Sequence, residues 1–170
     1  MTGGRLTTAL RLLLPAFLLG AMVAISFLEA PLKFLAPGVT IPIGLGIGRL
    51  VFTALNVLAG VVLLVLTVVT VRARAGRTVG VLLTAIWVVF AVEVAVIRPV
   101  LNRRSDLVIA GSAAPGTDGA HYAYIAADTV LVVLLVALTI VTVRSVLPDP
   151  AATPAPGASV RSPGPRGTDR

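Results

Sequence analysis

"LVFTALNVLAGVVLLVLTVVTV", residues 50–71, runs for about six helical turns without a charged side chain. A bilayer core of roughly 30 Å is crossed by about 20 apolar residues at 1.5 Å each. In water, so many valines favour a strand. In lipid, the backbone has to satisfy its own hydrogen bonds, and an unbroken apolar run of this length is a helix. Three further stretches read the same way: residues 10–28, with Pro15 near the start; residues 78–97, "TVGVLLTAIWVVFAVEVAVI"; and residues 123–143, "AYIAADTVLVVLLVALTIVTV". None alternates in polarity over about 10 residues, as a membrane barrel strand does. The expected fold is an all-α membrane protein, an antiparallel four-helix transmembrane bundle.

Composition agrees with lipid as the solvent. The chain is 57% hydrophobic and 12% charged, with a mean hydropathy of +1.02, whereas a soluble domain carries about 25% charged residues. The net charge of +7 does not point to nucleic acid, because the basic residues sit at the ends of apolar runs and not on one polar face. There is no cysteine, hence no disulfide, thiolate nucleophile or cysteine metal site. Thirteen of the fourteen basic residues are arginine. With the heavy use of Ala, Val and Gly, this suggests a high-GC bacterial genome.

Arginine placement sets the expected orientation. Arg5 and Arg11 precede the first span, Arg72, Arg74 and Arg77 fill the loop after the second, and Arg144, Arg161, Arg166 and Arg170 follow the fourth. The other side holds Lys33, Arg49, Arg98, Arg103 and Arg104. The positive-inside rule then puts both termini in the cytoplasm of a bacterial inner membrane. Residues 1–9 form a short cytoplasmic start. The first apolar run is longer than the 7–15 residues of a signal peptide, so it is read as a span. Residues 148–170 hold six of the twelve prolines and too little apolar surface to fold, so they read as a cytoplasmic tail. No internal repeat relates the two halves, which argues against an inverted-repeat transporter.

Small residues suggest helix contacts: Ala16, Gly20 and Ala24 in the first span, Gly60 beside Thr53, Asn56 and Thr67 in the second, Gly76 and Gly80 at the third. The 72–77 loop is short enough to make the second and third spans antiparallel neighbours.

Polar residues inside the spans gather in the outer half. Glu29 and Lys33 close the first span, Arg49 opens the second, Asn56 lies about 9 Å deep, Glu93 about 6 Å and Asp128 about 7 Å from their outer ends. Intramembrane acids are costly and mark function by default. Glu29 and Glu93 stand at expected helix C-termini and Arg49 at an N-terminus, where the helix dipole disfavours each. Arg49 is therefore expected to pair with Glu29 or Glu93. His121, Tyr124 and Asp128 share a face if the fourth helix begins early enough, and Arg98 lies at the outer end of the third span. These residues form either a structural polar network or a small cation or proton site.

Other chemistry is absent. A single histidine excludes bis-histidine haem within one chain and HExxH zinc chemistry, so no metal or cofactor is expected. "GLGIG", residues 44–48, follows no strand and lacks the Lys-Ser/Thr of a phosphate loop. Residues 37–49 read as an apolar loop lying in the interface or re-entering the leaflet. A short interfacial helix from Pro99 to Ile109 suits the second outer loop.

The segment "SFLEAPLKFLAPGVTIPIGLGIGRLVFTALN", residues 26–56, with "LE-PLKF" leading to "GLGIGRLVF", resembles small uncharacterised bacterial integral membrane proteins with four spans. "HYAYIAAD", residues 121–128, echoes a later segment of that family. The resemblance brings no catalytic residue. It implies that Glu29, Pro31, Lys33, Phe34, Gly46, Arg49 and Asn56 belong to one structural motif. The function expected is that of a non-enzymatic membrane protein holding a partner or lipid through its outer polar layer. The alternative is a small proton- or cation-coupled transporter or channel-like oligomer using Glu93, Asp128 and Glu29. Beyond the bilayer, a second copy or another membrane protein is the expected kind of partner.

Overall fold

A computed structural model describes residues 2–113 and 119–146; the proposed tail at 148–170 lies outside them. Four long helices fill the described chain, and each is long and apolar enough to cross a membrane. The first runs from Thr2–Met22 through a π-helical stretch, Val23–Glu29, and two short turns, Ala30–Leu32 and Lys33–Leu35. The second is Ile41–Arg72. The third joins Arg77–Val92, a π-helical stretch Glu93–Ile97, and Arg98–Ile109 into one rod. The fourth is Gly119–Val146. The protein is thus an all-α four-helix bundle and a membrane protein.

Here the end carrying Lys33, Arg49 and Arg98 is called upper, and the end carrying the Arg72–Arg77 turn lower. The first helix packs between the second and the fourth, and the third packs on the fourth and, near its upper end, on the second. The core is a column of Leu18, Met22, Leu55, Leu63, Leu66, Leu83, Ile86, Leu135 and Leu138. Most other large aliphatic side chains, such as Leu50, Leu64, Val71 and Val133, are exposed, as expected where the surroundings are as apolar as the core.

Three expectations are corrected. Residues 41–49 are not a loop: Pro42 stands in the first turn of the second helix, where its fixed φ and missing N–H are tolerated. The Pro99–Ile109 helix does exist but continues the third span. The Ala16, Gly20 and Ala24 stripe faces outward, as do Gly76 and Gly80, because Pro15, Leu18 and Met22 supply the packing face of the first helix.

Both π-helical stretches precede a proline. The rings of Pro31 and Pro99 would clash with the carbonyls of Phe27 and Ala95 four residues earlier. A wider turn relieves that clash and keeps the rod going. In the first stretch the Ala30 N–H donates to the Ile25 carbonyl; in the second the Arg98 N–H donates to that of Glu93. Both bonds span five residues.

Tight termini close the helices. Arg74 takes the left-handed conformation at φ 48° while Ala75 N–H donates to Thr70 O at 3.2 Å and Arg74 N–H to Val71 O at 3.0 Å. That is a Schellman cap with arginine where glycine is usual. Gly111, at φ 70°, ends the third helix with the same pair of bonds.

Candidate functional site

The second π-helical turn assembles the site. In an α-helix, residues five apart point about 140° away from each other. The wider turn brings Glu93 and Arg98 onto one face, and both are buried, at 2% and 6% exposure. Tyr124 and Asp128 approach from the fourth helix, one turn apart and buried to 6% and 2%. Glu93 lies within electrostatic reach of Asp128, Arg98 and Tyr124. Ser26 of the first helix lies beside Asp128. Glu93, Arg98, Tyr124 and Asp128 are therefore one buried cluster, and Arg98 and Tyr124 are central to it and not peripheral. The group has two carboxylates for one buried guanidinium.

Above the cluster is a partly open chamber of about 400 Å³ lined by the upper ends of all four helices. Lys33, Arg49, Arg98 and His121 line it, with Phe34, Phe52 and Tyr124 as its aromatic wall. The Lys33 ammonium lies 5.4 Å from the Phe52 ring centroid and the Arg98 guanidinium 5.5 Å from it. The Phe52 ring thus serves two cations, each favoured by its quadrupole. The carboxylates that partner Lys33 and Arg49 stand outside the lining. Glu29 Oε2 accepts from Lys33 Nζ at 3.5 Å, and Asp106 Oδ1 accepts from Arg49 Nη2 at 2.5 Å. Arg49 Nη2 also donates to the Asn102 carbonyl at 3.2 Å.

The expected pairing of Arg49 with Glu29 or Glu93 is thereby corrected. The helix dipole would set these pairings only if the helices ended at the membrane face. The second helix instead begins two turns before Arg49, and the third runs four turns past Glu93, so neither side chain meets a helix terminus. Asp106 belongs to that extension.

Gly44 and Gly48 explain the glycine-rich stretch. A Cβ on Gly44 would fall 2.2 Å from a Phe34 ring carbon, and one on Gly48 2.8 Å from Lys33 Nζ. The returning chain lays Phe34 and Lys33 on this bare strip of the second helix. Gly46, two residues from each of these glycines and on another face of the helix, has nothing within 4 Å of its Cβ position.

Unpartnered atoms divide by level. Ser26 Oγ, Arg49 Nε and Tyr124 OH are buried without a hydrogen-bond partner among the described residues, and all three residues line the chamber. Below, Glu93 Oε2 and Asp128 Oδ1 are likewise unpartnered. Both acids line a small cavity of about 10 Å³, with Asn56 and the apolar core around it, which is near the minimum that holds one water. The upper level therefore offers donors and the lower level acceptors. Among the described residues no cluster of three or more His, Asp or Glu side chains could hold a metal. Compared with protein-family models, curated proteins and solved structures, the chain gives no match.

Sequence reasoning singled out Glu29, Lys33, Arg49, Asn56, Glu93 and Asp128. They divide between the chamber and its rim (Glu29, Lys33, Arg49) and the buried level (Glu93, Asp128, Asn56). His121 is an exposed chamber residue. Ser26, Phe52, Asn102 and Asp106 went unnoticed as partners. A serine, a phenylalanine or an acid in a presumed loop carries no signal until its neighbours are known.

Proposed function

We propose that this is a non-enzymatic multi-pass protein of a bacterial cytoplasmic membrane whose upper chamber faces outward and binds an anionic group, a phosphate or a carboxylate. The single observation that carries this reading is the cation lining of the chamber, Lys33, Arg49 and Arg98, with Arg49 Nε buried and unpartnered among the described residues. Burying a donor without a partner costs about 1–3 kcal/mol. An acceptor-rich ligand recovers that cost, and the Lys33, Arg49 and Arg98 cations favour an anion. Ser26 and Tyr124 stand between the chamber and the carboxylates below, so their hydroxyls choose between ligand and acid. The orientation rests on Arg5, Arg11, Arg72, Arg74, Arg77 and Arg144 clustering at the lower end, with both termini in the cytoplasm.

Binding of inorganic phosphate and glycerol phosphate to the detergent-purified protein, wild type beside Arg49→Gln and Tyr124→Phe, tests the reading. Saturable binding weakened about tenfold by each substitution is expected. Absence of binding by the folded wild type rejects it.

A second reading is favoured by the unpartnered oxygens of Glu93 and Asp128 at a water-sized cavity. A proton or small cation would supply the charge that Arg98 alone does not balance, as in a small coupled transporter. Glu29 has no place in this arrangement, being tied to Lys33 at the chamber rim. Proton and cation flux into proteoliposomes, lost in a folded Glu93→Gln variant, is the expected sign. No flux from either protein removes this reading and leaves the first.

A further inference from the structure

The second and third helices are held together at two levels. Above, Arg49 bonds Asp106 and the Asn102 carbonyl. Below, Trp87 Nε1–H donates to Thr67 Oγ1 at 2.9 Å. Between these ties lies a groove of about 570 Å³. Its walls include Val57, Val61, Leu64, Phe90 and Val94, and Val57, Val61 and Leu64 are each more than half exposed, so it opens on the lipid-facing surface. Gly60 flattens the floor, where a Cβ would come to 3.8 Å from the Phe90 ring.

Arg98 and Asn102 line both this groove and the chamber. An apolar slot open to lipid thus meets a donor-rich, cation-lined compartment at one guanidinium and one amide. Each space is within the ~300–1,000 Å³ of ordinary ligand sites. Their combination has the polarity of an amphiphile: negative at the top and hydrocarbon down the side. A free anion would use the chamber and leave the groove to bulk lipid.

We propose that the anionic group in the chamber is the phosphate headgroup of a membrane lipid, whose acyl chain lies in the groove between the second and third helices. This rests on the anion-binding reading given above. Charge complementarity selects the occupant. An anionic lipid matches Lys33, Arg49 and Arg98, whereas a zwitterionic headgroup brings a cation of its own among them. Arg98 sits where the lipid's glycerol region would turn from headgroup to chain, and Asn102 supplies a side-chain donor and acceptor beside it.

The test is lipid retention, read by native mass spectrometry, of protein purified from micelles supplemented with equal phosphatidylglycerol and phosphatidylcholine. Binding of soluble glycerol phosphate is measured in parallel. Val61→Trp fills the groove from its exposed side without entering the core. Arg49→Gln removes a chamber donor. The expected result is phosphatidylglycerol retained about tenfold over phosphatidylcholine, reduced several-fold by Val61→Trp and by Arg49→Gln, with glycerol phosphate binding lowered only by Arg49→Gln. Glycerol phosphate binding together with phosphatidylglycerol retention indifferent to Val61→Trp overturns the lipid proposal and leaves the anion reading standing. Equal retention of the two lipids overturns the proposal as well. Failure of the folded wild type to bind either glycerol phosphate or phosphatidylglycerol rejects both.

Discussion

The rings of Phe52 and Tyr124 meet edge to face with centroids 5.4 Å apart, where the chamber gives way to the buried carboxylates. Arg98 lies over both rings, at 5.5 and 5.9 Å. This contact ties the second helix to the fourth and holds Tyr124 beside Glu93. Phe52→Leu keeps the apolar volume nearly constant but removes the quadrupole. The aromatic pair is worth about 0.5–1.5 kcal/mol and a partly desolvated cation–π contact about 1–2 kcal/mol. A loss of about 2 kcal/mol is expected, seen as a fall in Tm in detergent. An unchanged Tm would show the ring stack to be incidental.

Gly44 and Gly48 make a matched pair of probes. Gly44→Ala drives a Cβ into the Phe34 ring at 2.2 Å, and a ring held by its own backbone turn cannot slide far. Gly48→Ala meets the end of a flexible lysine at 2.8 Å, which can swing aside. Gly44→Ala should cost about 1–3 kcal/mol, the usual range for overpacking, and Gly48→Ala well under half of that. Thermal unfolding of the two variants decides. Equal Tm values would mean that the glycine strip does not seat the chain at 33–34.

The buried cluster invites a double-substitution cycle. Arg98→Met removes the guanidinium within electrostatic reach of Glu93 and should destabilise by about 1–3 kcal/mol, less than a directly bonded buried pair would lose. Glu93→Gln alone should change stability by no more than about 1 kcal/mol, because Arg98 keeps its place over the Phe52 and Tyr124 rings. Combining the two should recover about half of the Arg98→Met loss. Strict additivity in equilibrium unfolding would mean that Glu93 and Arg98 do not interact.

Arg74 holds a left-handed backbone at φ 48°, a conformation costing a side-chain-bearing residue about 1–2 kcal/mol. Arg74→Gly should raise stability by about 1 kcal/mol, and Tm by a few degrees, without altering binding in the distant chamber. A lowered Tm would indicate that the Arg74 side chain contributes more than its backbone costs.

Much of the fold was legible. The cores of all four spans could be read because length and hydropathy alone decide whether a segment crosses a bilayer, and the 72–77 loop allowed one geometry. The ends were not legible. "PGVTIPIGLGIGR" looks like a loop because Pro and Gly punctuate it, yet the prolines fall before or within the first turn and two of the glycines clear a path for Phe34 and Lys33. Exposure of Ala16, Gly20 and Ala24 was equally hidden. Small size permits close packing but does not say which face of a helix is used.

The candidate site divides along the same line. The sequence by itself determined that acids lie within apolar helices, at one level, near Lys33, Arg49 and Arg98. Depth follows from a fixed rise per residue. Rotation about the helix axis does not, once a π-helical turn intervenes. The wide turn before Pro99 swings Arg98 onto the Glu93 face, and the longer third helix carries Asp106 to Arg49. Only the tertiary structure decided which cation meets which acid and that a donor-lined chamber lies above them. Pairing depends on the relative rotation of packed helices, which is set by contacts between segments distant in sequence.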